Sequence, residues 1–371
     1  MLLSYWQKFR RAGLYVLGSV FAVVLAFAIT AIFLLVVGRD PLTVYAGIYQ
    51  GAFGDKFSFS ETLVAATPIM LCGLGVAIAQ WLGMMNVGVE GQLYLGAIGA
   101  TYVALHCPFT QNWQLLPVML IAAAICGALW SLIPALLRVY IGVSEVITTL
   151  LLNYVALLLV EFLIHGPWED PNNVSWPQTA AFPAAAELPH FFDTRVHLGI
   201  VFGIAIALFF AFLLPTTKIG FISRVIGSNP DAAEYAHYKV KRYQIWAMII
   251  SGAVAALAGF SQVSAIEGRL RSGLSPGYGY TGFLACWLAR HNPIAIVVVS
   301  ILIGGLLSGA DSLQLSAKLP FATVNILQGM IFFCLLASEQ FVTKLVNKDV
   351  AQDYLKSEKI KDSPAELRGE A

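Results

Sequence analysis

The sequence predicts an all-α integral membrane protein of about ten transmembrane helices, some short or broken, with both termini cytoplasmic. Three observations carry that prediction. Hydrophobic residues make up 58% of the 371-residue chain and charged residues only 12%, a balance that excludes an ordinary soluble domain. The apolar residues fall in runs close to the roughly 20 needed to cross about 30 Å of hydrocarbon. The Lys and Arg residues are sorted between alternate connecting segments, although the net charge is only +1.

In chain order the runs are 14–37, 63–80, 87–105, 115–137, 144–164, 196–214, 244–264, 281–289, 293–309 and 321–337. Lys8, Arg10 and Arg11 precede the first, as in a signal peptide. That run is too long for one and no small-residue cleavage site follows it. Residues 1–13 are therefore read as a cytoplasmic N-terminus and 14–37 as a retained span. The second run holds Pro68, Gly73 and Gly75 and is expected to kink or break. The eighth is too short to cross, even when extended back to Gly277. It fits a half-helix buried against protein.

With the N-terminus inside, sixteen of the 22 Lys and Arg residues fall on the inner side. Six fall outside: Arg39, Lys56, Arg195, Arg269, Arg271 and Lys318. This bias supports cytoplasmic termini. The transmembrane domain is then 14–343, followed by a charged cytoplasmic tail over 344–371, of which 348–371 is poor in apolar residues and expected to be frayed or disordered. The longest outer segment, 165–195, carries Pro167, Pro171, Pro177, Pro183 and Pro189 with Trp168 and Trp176. Proline at this density predicts a stiff loop without helix or sheet, and the Trp residues suit the headgroup level. It is either a cap or a landing surface for an extracytoplasmic partner. Asn173-Val174-Ser175 matches the weak glycosylation-acceptor pattern.

Residues 215–243 form a polar, basic island between two spans. Its centre reads as a short helix with Asn229 as N-cap, Pro230 at the first helical position, and Asp231 and Glu234 near the positive helix start. Composition alone makes it a solvated loop held at the headgroups by Lys239, Lys241 and Arg242. The sharper reading is a docking element for a soluble partner.

Polar residues inside spans are costly and need a reason. Asn86 and Glu90 share a helix face, and Gln92 points to another. Glu145, Thr149 and Asn153 make a polar stripe at i, i+4 and i+8, which Glu161 and His165 extend. Two readings stand side by side: hydrogen bonding between helices, or the lining of a polar solute path. The first is preferred for Glu145, and Asn86, Glu90, Gln92, Thr149 and Asn153 are the candidate path residues. Glu90-Gly91-Gln92-Leu93 with Gly96 echoes Glu267-Gly268-Arg269-Leu270 with Gly273, as an inverted-topology repeat would.

No nucleotide loop, zinc-protease motif or nucleophile elbow is present. The six histidines lack ligand spacing, and the five cysteines are scattered singly and read as buried hydrophobes. No catalytic residue, metal or cofactor is expected, and no nucleic-acid partner. Lipid is the partner that composition implies.

Three stretches resemble the permease subunits of bacterial ABC importers of the branched-chain amino acid, simple sugar and nucleoside group. Met85-Asn86-Val87-Gly88-Val89-Glu90-Gly91-Gln92 is similar to that group's N-[IV]-G-V-E-G-Q motif. Ser144-Glu145-Val146-Ile147-Thr148-Thr149-Leu150-Leu151-Leu152-Asn153 is similar to its E-V-I-x-T-L-x-L-N motif. Gly227-Ser228-Asn229-Pro230-Asp231-Ala232-Ala233-Glu234-Tyr235-Ala236 resembles its G-x-N-P-x-A-A-x-Y-A loop, which docks on the ATPase. The first two motifs lean towards the nucleoside branch. The chain departs from the pattern after Ala236, where the group has Gly-Ile or Gly-Val and this sequence has His237-Tyr238. Loss of a glycine-permitted turn is expected there.

The resemblance implies a permease in the bacterial cytoplasmic membrane, paired with a second permease, a paralogue rather than an identical copy. It also implies a cytoplasmic ABC ATPase that hydrolyses the ATP, so that this chain is not itself an enzyme, and an extracytoplasmic solute-binding protein. Gly227, Asn229, Pro230, Ala232, Ala233, Glu234 and Tyr235 would form the ATPase-docking surface. Few charges lie in the spans and no basic cluster there would hold a phosphate, so the expected solute is neutral and polar, such as a nucleoside. The alternative from another class is a stand-alone, ion-coupled secondary transporter, for which Glu90 is the main coupling candidate.

Overall fold

The computed structural model describes residues 24–25, 27–36, 38–171, 176–191, 194–316 and the single positions 326, 329, 330, 333 and 337. The expected N-terminus 1–13, most of the tenth span 321–337, the tail 344–371 and the Asn173-Val174-Ser175 acceptor lie outside the described residues, as does much of the first span.

The described residues are overwhelmingly helical. The helices are α1 (Phe27–Val36), α2 (Pro41–Phe53), α3 (Lys56–Gln80), α4 (Val89–His106), α5 (Asn112–Leu136), α6 (Glu145–Ile164), α7 (Gly199–Thr216), α8 (Lys218–Ser228), α9 (Pro230–Tyr235), α10 (Val240–Ser261), α11 (Tyr278–Leu288) and α12 (Pro293–Ser316). Among the described residues six are long and apolar enough to cross a membrane: α3, α5, α6, α7, α10 and α12. Counting α1 and α2 as one broken span makes seven. The ten-span expectation is thus met only as a multi-pass helical protein. The difference has a physical origin. The expected third span is α4, whose first turn contains Glu90 and Gln92. The expected eighth is α11, only 11 residues long.

The chain divides into two compact units, 1–45 with 319–371, and 46–318. In the first, the Tyr45 hydroxyl donates to the Phe27 carbonyl at 2.6 Å, and the two rings meet edge to face at 5.1 Å. Asp40 caps α2 by accepting from the amides of Leu42 and Thr43.

In the second unit α3 is the central helix. It packs on α7, α10, α11 and α12, and α4 is enclosed by α5, α6, α10 and α11. Pro68 does not break α3, which runs unbroken for 25 residues. The break comes after it, over 81–88. Helix α10 carries Ser251, Gly252, Ala255, Ala256, Ala258 and Gly259, all of them buried. Small residues let helix backbones approach where lipid supplies no hydrophobic drive to association. At the α4–α10 crossing a Cβ on Gly96 would fall 2.1 Å from the Ala256 carbonyl oxygen. One on Gly259 would fall 1.9 Å from that of Leu93. Phe260, Leu93, Met70 and Leu71 fill the interior around this crossing.

Segment 165–191, where described, contains one short 3-10 turn at Ala184–Ala186. Two isolated bridges, Gln178 with Arg271 and His190 with His197, tie this segment to the turn after α10 and to the start of α7. This is more order than the proline count predicts. The sequence echo has no local counterpart: Glu90 opens a helix, whereas Glu267 ends a π-helical turn and Gly268 is left-handed at φ +63.

Candidate functional site

Two constellations stand out, one inside the helix bundle and one at its polar end. The inner one is built on the break at 81–88. Asn86 is wholly buried and acts as its hub. Its amide nitrogen donates to Gln92 Oε1 at 2.9 Å and to Ser251 Oγ at 2.8 Å. Its oxygen accepts from the Gly88 amide at 2.9 Å and from Gln92 Nε2 at 3.1 Å. Ser251 in turn donates to the Gly75 carbonyl at 2.5 Å, so α3, α4 and α10 are joined through one side chain.

Asn153, at the end of the polar stripe on α6, ties in from the other side. Its oxygen accepts from the Gly91 amide at 2.8 Å. Its nitrogen donates to the Val87 carbonyl at 3.0 Å and the Tyr280 hydroxyl at 3.3 Å. Thr149, one turn earlier, gives its hydroxyl to the Glu145 carbonyl at 2.7 Å and packs its methyl side against Gly88. Glu145 accepts from the Met85 amide and pairs with Arg138 at 3.1 Å, as preferred for it from sequence.

Glu90 is buried in the first turn of α4. Its Oε2 accepts from the Gly279 amide at 2.6 Å. Gly279 lies in the first turn of α11, whose N-cap, Gly277, has no side chain to offer. Glu90 therefore caps a helix far away in the chain. A carboxylate there meets free amides and the positive end of the helix dipole. The approach is close: a Cβ on Gly279 would lie 2.5 Å from the Glu90 nitrogen.

All five candidate path residues thus meet in one buried region: Asn86 and Gln92 bond to each other, and Glu90, Thr149 and Asn153 bond to neighbouring backbone. In this conformation they lock helices together. Ser251, Gly279 and Tyr280 belong to the same constellation and were not singled out from sequence. The alternation Gly277-Tyr278-Gly279-Tyr280 was the available signal.

The second constellation is the polar island. Thr217 caps α8 by accepting from the Gly220 amide, and Asn229 caps α9 by accepting from the Ala232 amide at 3.0 Å. Pro230 occupies the first helical position, as the sequence predicts. Helix α8 itself was not anticipated. Ala232, Glu234 and Tyr235 are exposed, and Tyr235 is 90% so. Ala233 is completely buried and packs with Leu82, Ile226, Val240 and Ala247. Gly227 sits so close to the 81–88 segment that a Cβ on it would be 2.5 Å from the Trp81 carbonyl oxygen. Ala233 and Gly227 therefore hold the island to the chain's own break, and Ala232, Glu234 and Tyr235 form its outward face.

The expected loss of the turn after Ala236 is not what the structure has. His237 takes the left-handed conformation at φ +64. Its amide donates to the Glu234 carbonyl, and that of Tyr238 to the Ala233 carbonyl at 3.0 Å. This is a Schellman stop with histidine where glycine is the usual choice. The turn survives at a local cost of roughly 1–2 kcal/mol.

No group of three or more potential metal ligands occurs among the described residues. The machinery is one of helix breaks, caps and close contacts.

A family model described as "Branched-chain amino acid transport system / permease component" matches residues 58–336. The "Glucose ABC transporter permease protein TsgB13" of Haloferax volcanii is 32% identical over 333 residues, 87% of each chain. The "Guanosine ABC transporter permease protein NupP" of Bacillus subtilis is 32% identical over 85% of this chain and 92% of its own. The "Nucleoside ABC transporter permease protein NupB" of Lactococcus lactis is 30% identical over 86% of this chain and 90% of its own. A second guanosine permease protein of the same Bacillus strain, NupQ, matches at 26% over 66% of this chain.

Proposed function

The chain belongs to the branched-chain amino acid transport permease family and is a permease subunit of an ABC transporter, and we propose that it imports a nucleoside or related compound. The observation that carries the solute reading is the pair of nucleoside permeases at 30% identity or more over most of both chains. The scarcity of basic residues in the described spans agrees with a neutral solute. A sugar is the second reading, favoured by the similarity to the glucose permease.

In this reading the protein lies in the bacterial cytoplasmic membrane with ten spans and both termini inside. The outward face of α9, with Asn229 and Pro230 setting its start, meets a cytoplasmic ATPase that hydrolyses the ATP. A paralogous permease completes the pore, in line with the match of both NupP and NupQ to this one chain. A solute-binding protein delivers to the outer loops. ATP-driven movement of α9 would pass through Ala233 and Leu82 to the 81–88 break, and so to Asn86, Gln92, Thr149, Asn153 and Glu90. These would rearrange beside the path as the bundle alternates its access. Their complete internal pairing supports a locked state, and the role of Glu90 as a helix cap offers little to an ion-coupled alternative.

The test is uptake. The chain is expressed with its neighbouring permease, ATPase and binding protein in cells lacking nucleoside uptake. ATP-dependent accumulation of labelled guanosine that unlabelled nucleosides suppress and glucose does not is the expected result. Accumulation of glucose alone would replace the nucleoside reading with the sugar one.

A further inference from the structure

A hollow of about 390 Å³ lies beside α9 at the start of α10, lined by Tyr140, Glu234, Lys239, Lys241, Arg242 and Trp246 among others. A second hollow of about 310 Å³ shares Lys239, Arg242 and Trp246 with it. Three cations border these hollows against a single carboxylate. None of the three makes an ion pair among the described residues. Arg138, on the same π-helical turn as Tyr140, is already paired with Glu145 and adds no free charge.

The aromatic residues give the depth. Trp246 lies in the second turn of the apolar span α10 and is 53% exposed. Tyr140 is 69% exposed on the turn Leu137–Ile141 that ends the α5 span. Trp and Tyr at a span end belong at the headgroup level. Unpaired cations just outside them attract anionic lipid, and basic pockets between spans on the cytoplasmic side hold its headgroup.

We infer that Lys239, Lys241 and Arg242, with Tyr140 and Trp246, form a binding site for the phosphate headgroup of an anionic phospholipid. The cations would grip the phosphate while the exposed faces of Trp246 and Tyr140 flank the upper acyl chains. The site shares an edge with the docking helix through Glu234, so lipid occupancy would steady the start of α10 next to the ATPase contact. The inference rests on the proposed orientation, with this end in the cytoplasm. It does not rest on the solute or on ATP.

The full chain, purified in neutral detergent, is titrated with phosphatidylglycerol, phosphatidylcholine or inorganic phosphate, and retained lipid is counted by native mass spectrometry. A photoreactive phosphatidylglycerol maps the contact on the unaltered protein. Expected are selective retention of phosphatidylglycerol and crosslinks within 239–246 or at Tyr140. Retention should fall at least tenfold in the triple variant K239Q/K241Q/R242Q, since each basic residue near the surface contributes about a fivefold factor. Binding should return in K239R/K241R/R242K. Equal retention of phosphatidylcholine, crosslinks elsewhere, or an undiminished triple variant would overturn the site. Displacement of the lipid by millimolar phosphate would reduce it to a free-anion site and overturn it too. ATP and solute are absent throughout, so a failed transport assignment leaves this result untouched.

Discussion

Glu90 and Gly279 are 189 positions apart in the chain, yet the carboxylate of one accepts from the amide of the other at 2.6 Å and so caps the first turn of α11. The bond joins the first turn of α4 to the first turn of the short helix α11. It also explains how a carboxylate can be buried among apolar helices: an uncompensated one inside a membrane costs about 3 kcal/mol or more, whereas this one meets an amide at a helix start.

Replacing Glu90 separates its hydrogen bond from its charge. Glu90→Gln retains an acceptor for Gly279 and should keep expression and most transport. Glu90→Ala leaves the amide unpaired and should lower stability by about 1–3 kcal/mol. Thermal unfolding in detergent and solute uptake read the two effects. If Glu90→Gln abolishes transport while the protein stays as stable, the charge itself matters and the cap is incidental.

The two alanines of α9 should behave differently. Ala232 is exposed, so Ala232→Arg is expected to leave the chain folded and reduce ATPase co-purification. Ala233 is buried against Leu82, Ile226, Val240 and Ala247, so Ala233→Arg should damage the chain itself. Size-exclusion behaviour of the chain alone separates these outcomes. A monodisperse Ala233→Arg protein would contradict the packing.

His237→Gly should stabilise. The residue already stands at φ +64, where glycine carries no Cβ penalty. A gain of about 1 kcal/mol is expected, seen as a higher melting temperature with ATPase association retained. No change or a loss would mean that the His237 side chain contributes as much as its strain removes.

The α4–α10 crossing has no room for a methyl group. Gly259→Ala places a Cβ 1.9 Å from the Leu93 carbonyl oxygen. Backbone on both sides must shift, and overpacking of this kind typically costs about 1–3 kcal/mol. Reduced expression and a lowered melting temperature are the readouts. Gly268→Ala is the control for space, because nothing lies within 4 Å of its Cβ position, although its φ of +63 still carries local strain.

His197 should make the segment before α7 acid-sensitive. Burial, reinforced by His190 and Arg195, lowers its pKa from the ordinary 6.5 to about 4. The folded state therefore binds fewer protons than the unfolded state between pH 4 and 6.5. Stability falls as pH drops through that window, by about 3 kcal/mol in all. Above pH 6.5 this contribution is level. His197→Asn should flatten the slope in pH-dependent melting, and an unchanged slope would assign it to other groups.

The sequence by itself determined the class, the approximate position of each described span and the family. These are readable because hydropathy is local: an apolar run reports its own need for lipid or protein cover, whatever it packs on. The start of α9 was legible for the same reason, since the N-cap, proline and first-turn acids act within a few residues. What α3, α4, α10 and α11 do to one another was decided only by tertiary structure. The polarity of 86–92 announced a special segment. It did not reveal that Asn86 pairs with Gln92 and donates to Ser251, that Glu90 caps the start of α11 at Gly279, or that Ala233 faces Leu82 and Ala232 the solvent. Hydrogen-bond partners more than a hundred residues apart leave no periodicity in the chain. A buried polar side chain takes whichever partner the crossing of helices brings within 3 Å.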